Sequence, residues 1–147
     1  MSALSDFSEQ RLGYLIHTNR ELGLMLAGKK PLAIMYDLEG QFHPVVVRYL
    51  RMFDRYVSLG RFVRQERKFP TERYGEPLNA HYIYYALPNE VWRISEMMAL
   101  QAGLRSGRPW AEVDELKMGA LLGYTPEQNE IWIRLWRARQ FSEKQDS

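Results

Sequence analysis

Residues 81–87 read HYIYYAL, a run rich in the tyrosine and isoleucine that strands favour, and this run decides the fold class. Alternation along a strand would send Tyr82 and Tyr84 to one face and the residues between and beside them to the other. We expect these rings to pack in the core, with their hydroxyls reaching the surface. A ligand pocket lined by the same side chains is the alternative.

Two further runs complete a small sheet. After a break at 28–31, Leu32 to Tyr36 forms a short apolar run bounded by turn-forming residues, which is typical of a buried strand. Arg61 to Phe69 reads as a highly charged edge strand. Residues 70–77, PTERYGEP, read as a surface loop because they combine two prolines with a glycine.

Helical periodicity accounts for much of the remaining chain. Apolar residues repeat along 8–27, and Gly28 stands where a left-handed cap would end that helix. A second, amphipathic helix begins at Pro44 and ends before Gly60, although the β-branched run 45–47 also permits a strand.

Three helices close the chain, with predicted bounds of 88 or 89 to 103, 109 to 123 and 125 to 140. Thr125 and Gln128 have the spacing of a capping box at the start of the last one. The predicted fold class is therefore α+β, with four to five helices and a small, mainly antiparallel sheet. An all-α bundle is the alternative.

The length and composition indicate one compact domain over 1–147, with a flexible tail from about residue 142, because 46% of the 147 residues are hydrophobic. The absence of cysteine excludes disulfides, thiol nucleophiles and thiolate metal sites, and we predict neither a metal nor a cofactor. The beginning, MSALSDFSEQRLGYL, lacks a basic stretch followed by an apolar core. We therefore expect no signal peptide, no membrane association and a cytoplasmic protein.

Positive charge is concentrated between residues 48 and 73, where eight basic residues meet three acidic ones for a local charge of +5. Clustered cations attract phosphate backbones by releasing counterions, so this segment is a candidate site for nucleic acid or another polyanion. An ordinary solvated or dimer-paired charged face is the alternative. The candidate residues are Arg48, Arg51, Arg55, Arg61, Arg64, Arg67, Lys68 and Arg73.

Asp37, Glu39 and His43 place two carboxylates and an imidazole around a predicted strand-to-helix connection. Such groups can exchange protons or hold a metal, which makes them the catalytic candidates. The same residues are also those of a plain turn and a helix cap. The three histidines, at 17, 43 and 81, are too far apart to form a recognisable metal motif.

The C-terminal helix carries more apolar surface than one narrow stripe, and Trp132 and Trp136 share one of its faces. Aromatic side chains are enriched at interface cores, so Trp132, Ile133 and Trp136 are the candidate interface of a homodimer. Complete burial inside one subunit is the alternative.

Two short segments carry a resemblance, YALPNEVWRI at 85–94 and LLGYTPEQN at 121–129. They resemble segments of small uncharacterised bacterial proteins, including those carried as mobile gene cassettes. The resemblance implies a bacterial, cytosolic protein of unassigned role, and it implies no catalytic residue.

Three classes of function follow from these patterns. The first is a non-enzymatic binding or adaptor protein, acting through a protein partner or a small ligand as a homodimer. The second is binding of nucleic acid or another polyanion through the basic segment 48–73. The third is a small enzyme that needs no cofactor.

Overall fold

The computed structural model of the chain describes residues 20–146, with side chains described as far as Ser142. Within this range the chain divides into two compact units. One is formed by Pro31–Glu96, and the other combines the chain up to Lys30 with Met97 onward. The single domain over 1–147 and the flexible tail stay predictions.

The first unit contains the predicted antiparallel sheet, made of β1 (Leu32–Leu38), β2 (Val63–Arg73) and β3 (Glu76–Ala86). The strand order is β1-β3-β2, with Tyr85 of the central strand opposite both Ala33 and Arg64. Together with the helices below, this sheet confirms the α+β class, and the all-α alternative is wrong.

The structure corrects the loop predicted at 70–77. Strands β2 and β3 continue through it to a two-residue turn at Tyr74 and Gly75, whose φ angles of 53° and 79° are positive as a type I′ hairpin requires. Pro70 is tolerated because β2 is an edge strand, and Pro77 because β1 pairs only as far as Ala80. Prolines that look like loop markers therefore lie where no ladder hydrogen bond is lost.

A helix packs on the sheet face that carries Tyr85. Helix α2 (Pro44–Ser58) confirms the helical interpretation of 44–60 over the strand alternative. Its Phe53 is fully buried and stacks on Tyr85, with ring centroids 4.6 Å apart, and it also contacts Phe62 at 5.7 Å. These aromatic contacts fix the buried side of α2, and they leave its other side exposed.

The other helices are α1 (Glu21–Leu26), α3 (Trp92–Arg105), α4 (Glu112–Leu121) and α5 (Pro126–Asp146). The predicted helix at 8–27 is seen only in its last part, because 8–19 lies outside the described residues. Helix α3 starts after a short 3-10 turn at Pro88–Glu90, and α5 ends six residues later than predicted, at Asp146. The predicted capping box is present, with Thr125 N–H donating to Gln128 Oε1 and Gln128 N–H donating to Thr125 Oγ1.

Helices α4 and α5 approach closely at Gly119. A Cβ atom at Gly119 would lie 2.1 Å from Asn129 Oδ1, so the asparagine occupies the space that the glycine leaves open. Asn129 Nδ2 also donates to the carbonyl of Leu116 at 3.0 Å. This contact sets which residues of α4 and α5 lie next to each other.

None of the helices within 20–146 combines the length and the apolar character needed to cross a bilayer.

Candidate functional site

The exposed side of α2 carries one continuous stripe of side chains, which we call the α2 outer face: Val45, Arg48, Arg51, Met52, Arg55 and Leu59. Five of these residues, all except Arg51, follow one another at alternating spacings of three and four, so they lie along one line of the helix. Val45, Met52 and Leu59 are 56%, 51% and 64% exposed. Large apolar side chains this exposed, in register along a helix, are a feature of docking surfaces.

The arginines of the α2 outer face have no carboxylate partner within the described part of the chain. The one acidic residue of the helix, Asp54, points elsewhere: it accepts from Tyr85 Oη at 2.8 Å and lies 3.5 Å from Arg64 Nε. Burial, with the neighbouring Asp54 carboxylate, raises the pKa of the Tyr85 hydroxyl, which therefore stays protonated as the donor. The charge of Arg48, Arg51 and Arg55 is left to solvent or to a partner.

A shallow groove of about 500 Å³ lies at the N-terminal end of this face. Phe42, Pro44 and Val47 form its apolar wall, and Arg48 and Arg51 form its charged side. His43 caps the N-terminus of α2, because its Nδ1 accepts a hydrogen bond from Val45 N–H at 3.1 Å. Pro44 follows it in the first turn of the helix, where proline is favoured. The groove can receive an apolar side chain next to an acidic group.

The remaining basic residues of 48–73 lie elsewhere, because alternation along β2 divides them between two sheet faces. Arg64 and Lys68 share the face of Tyr85 and are ion-paired, Lys68 with Glu39 at 3.0 Å and Arg64 with Glu66 at 3.4 Å. Arg67 and Arg73 lie on the opposite face, Arg73 at 5.5 Å from the Tyr74 ring, and Arg61 precedes the strand. The eight predicted polyanion-binding residues therefore do not form one surface.

The predicted catalytic group is divided among three structural roles. Asp37 Oδ1 accepts from Leu38 N–H at 2.7 Å, and His43 caps α2. Glu39 accepts from Asn79 Nδ2 and Lys68 Nζ, both at 3.0 Å, and these hydrogen bonds hold the pKa of Glu39 below its usual value. The structure thus gives these residues the turn and capping roles that were the alternative. Among the described residues, no group of His, Asp and Glu could hold a metal ion.

A different histidine meets a carboxylate, and sequence reasoning did not find this pair. His81 Nε2 lies 2.7 Å from Glu66 Oε2, and the edge of Phe42 contacts the His81 ring at 5.6 Å. The hydrogen bond from His81 is the main reason why the pKa of Glu66 is lowered. The pair joins neighbouring strands diagonally, so only the register could have revealed it. His17, the third histidine, lies outside the described residues.

Among the described residues of the second unit, one amine is buried, that of Lys30. Its Nζ donates to the carbonyl of Leu122 at 2.8 Å and lies 5.7 Å from the centre of the Tyr124 ring. Burial lowers the pKa of Lys30 to about 7, against the opposing attraction of Glu21. Sequence alone gave no sign of this environment, since Lys29 and Lys30 look alike in a polar turn.

The residues predicted to form a dimer interface make contacts inside their own chain. Ile133 is 4% exposed. The Trp132 indole N–H donates to Glu115 Oε2 at 2.6 Å, and the Trp110 indole N–H donates to the other oxygen of that carboxylate at 2.8 Å. Trp136 is half-buried. These contacts favour the alternative in which Trp132, Ile133 and Trp136 pack inside one subunit. The homodimer stays a prediction.

No protein-family model, no curated protein and no solved structure matches the chain. The resemblance of 85–94 and 121–129 to small bacterial proteins therefore stays a prediction.

Proposed function

We propose that this chain is a non-enzymatic binding protein that docks an acidic helical segment of a partner protein on its α2 outer face. The observation that carries the proposal is the stripe itself: three arginines without carboxylate partners among the described residues, interleaved with three exposed apolar side chains. A cytoplasmic location and a bacterial origin stay predictions beside it.

The spacing favours a helix as the bound element. Alternating intervals of three and four residues produce a straight seam along α2, and a second helix with the same period can place its side chains along it. The apolar residues supply buried area, and each guanidinium can bind a carboxylate through two parallel hydrogen bonds. The groove at Phe42 and Pro44 adds a recess for one apolar anchor of the partner.

Two other classes of partner fit the face less well. Phosphate contacts would use the arginines but leave Val45, Met52 and Leu59 exposed to water. A membrane surface favours a wide apolar face with Trp or Phe, whereas this apolar row holds only Val, Met and Leu. A helix of a partner protein can contact both the arginines and the apolar side chains of the α2 outer face.

A second copy of the same face is also a poor partner. Antiparallel pairing about a two-fold axis between Arg51 and Met52 sets Arg48 opposite Arg55 twice, and parallel pairing sets each arginine opposite itself. Like charges in these positions repel, which costs affinity and selects against self-docking. The partner must bring negative charge.

The test is selection from a displayed library of random helical 15-residue peptides against the intact protein, with each enriched peptide then measured by fluorescence anisotropy. We expect enrichment of peptides with Asp or Glu beside apolar residues at spacings of three and four. The triple variant R48Q/R51Q/R55Q should weaken binding at least about tenfold, because three charge-assisted contacts are lost. The variant M52Q/L59Q should weaken the same peptides while leaving the charge unchanged.

The matched control is R67Q/R73Q/R105Q, which removes the same number of exposed charges from other surfaces. It should bind the peptides as the unaltered protein does. The proposal is overturned if no peptide is enriched over the triple variant. It also fails if a single-stranded oligonucleotide or anionic vesicles bind through the three arginines with no dependence on Met52 and Leu59.

A further inference from the structure

A second surface, in the other unit, carries a different pattern. An open groove of about 620 Å³ lies between helices α4 and α5. Its walls are apolar along most of their length, with Leu116 and Ala120 from α4, and Tyr124, Pro126 and Ile133 from the turn and α5. Leu116 is 40% exposed and its neighbour Val113 is 67% exposed. We infer that this groove is the homodimer interface and that its occupant is the α5 helix of a second copy.

The charges along α5 suit antiparallel pairing with a second copy. Glu130, Arg134 and Arg137 are exposed and lie on one side of the helix, at intervals of four and three residues. Two copies of α5 packed antiparallel, with the two-fold axis between Ile133 and Arg134, set Glu130 of each copy opposite Arg137 of the other. Arg137 already pairs with Glu112 in its own chain, and a guanidinium has enough donors to bind both carboxylates.

The position of Phe141 suits the same pairing. This ring is 64% exposed and lies on the same side of α5 as Glu130 and Arg137. The antiparallel arrangement that matches the charges also sets Phe141 opposite Pro126 of the other copy, at the end of the apolar groove. One register therefore satisfies both the charged and the aromatic side chains, as an isologous interface requires.

A small molecule fits the groove less well, because the charged residues of its lining, Glu130, Arg134 and Arg137, lie in one row along α5, whereas orientation of a ligand needs polar groups that converge from several sides. The buried acceptor here, Asn129 Oδ1, has no hydrogen-bond partner, and it sits against Gly119 in the contact between α4 and α5. The contrast with the α2 outer face lies in the balance of charge: self-pairing there sets arginines against arginines with no carboxylate on the face, whereas each Arg134 beside this axis has Glu130 four residues away on its own helix. The two surfaces share no residue, so failure of one proposal leaves the other standing.

The test is light scattering of the full chain from about 1 to 200 μM. The unaltered protein should show twice the 17.4 kDa chain mass. Glu130→Arg and Arg137→Glu each turn two attractive contacts into two repulsive ones, and each should raise the dimer dissociation constant about tenfold or more. Mixing the two variants in equal amounts should restore a dimer, because the arginine pair of one chain then faces the glutamate pair of the other.

Phe141→Ala should also weaken the dimer, while Tyr36→Ala, which removes an equally exposed ring elsewhere, should not. Arg139→Glu is the charge control, since it reverses a charge on the opposite side of α5. Circular dichroism of every variant establishes that it is folded. A strictly monomeric unaltered protein overturns the inference, as does a dimer that survives Glu130→Arg and Phe141→Ala, or a mixture that stays monomeric.

Discussion

Tyr74 shows at the scale of one residue how this chain tolerates local strain. A bulky residue at a φ of 53° is uncommon, and hairpin turns of this type normally use Asn or Gly there. The Tyr74 side chain is 92% exposed, so burial of the ring does not offset the strain of the backbone. The compensating interaction is the contact of Arg73 with the ring, which at an exposed site is worth about 0.5–1 kcal/mol.

We therefore expect Tyr74→Asn to stabilise the protein. Relief of the left-handed conformation should be worth about 1–2 kcal/mol, which exceeds the cation–π contact that is lost. The net gain, about 0.5–1 kcal/mol, is measurable as a higher midpoint in urea unfolding. Gly75→Ala is the control and should destabilise, because its φ of 79° disfavours any Cβ. A Tyr74→Asn protein that is less stable than the original would show that the ring matters more than the backbone.

At the scale of elements, the contact between α4 and α5 makes Gly119 an exception to helix propensity. Alanine in a helix interior is normally worth about 1 kcal/mol over glycine. Here its Cβ would displace Asn129 and break the hydrogen bond to Leu116. Gly119→Ala should therefore destabilise by about 1 kcal/mol despite its better propensity.

The sign should reverse once the asparagine is removed. In an Asn129→Ala background, the nearest side-chain atom left beside that Cβ is Tyr124 Cδ2 at 3.1 Å, which has to move by only a few tenths of an ångström. Gly119→Ala should then stabilise the helix by less than about 1 kcal/mol. Thermal or urea unfolding of the four proteins in this double-mutant cycle measures the coupling. Additive effects, with the same sign in both backgrounds, would mean that α4 and α5 do not meet in this way.

The elements also show what the sequence could and could not predict. The apolar run at 32–36 and the tyrosine-rich run at 81–87 predict two strands, and the helical pattern that begins at Pro44 predicts the helix that carries Arg48, Arg51 and Arg55. The hairpin at 70–77 was missed, because strand pairing outweighs local turn signals and its prolines lie at uncovered edges. The pairs of Lys68 with Glu39 and of His81 with Glu66 were missed for another reason: they depend on strand register, which a single sequence does not contain.

At the scale of the whole molecule, the net charge of a segment does not show which of its basic residues are available to bind a partner. The basic segment 48–73 carries +5, yet Arg64 is paired with the carboxylate of Glu66 and Lys68 with that of Glu39. What remains available on α2 is three arginines. A charge count along the chain therefore overestimates the polyanion-binding surface and hides the smaller face, where charge and apolar area coincide.

Lys30 makes global stability depend on pH in the alkaline range. Its pKa falls from 10.5 to about 7 on folding, so between these values the unfolded chain binds the extra proton and stability rises with pH. The contribution over this window is about 3–5 kcal/mol. Above pH 10 the raised pKa values of Tyr85 and Tyr124 act in the opposite direction, because unfolding releases their protons.

Replacing this lysine should remove the alkaline rise. Lys30→Met should unfold at a urea midpoint that changes little between pH 7 and pH 9.5, whereas the midpoint of the unaltered protein increases. Lys29→Met, the substitution of an exposed neighbour, should keep the increase. Parallel pH profiles for all three proteins would mean that the Lys30 amine keeps its ordinary pKa.

The early end of β1 has a consequence for the time that individual amide protons survive in heavy water. Strand β3 lies between two neighbours from Ala80 to Ala86, but from Glu76 to Asn79 it pairs with β2 alone, apart from the hydrogen bond between Glu39 N–H and the Asn79 carbonyl. Openings that start at the turn expose the outer half of the hairpin without disturbing the inner half. One continuous strand is therefore divided into a fast-exchanging and a slow-exchanging part, and the step between them marks where β1 stops.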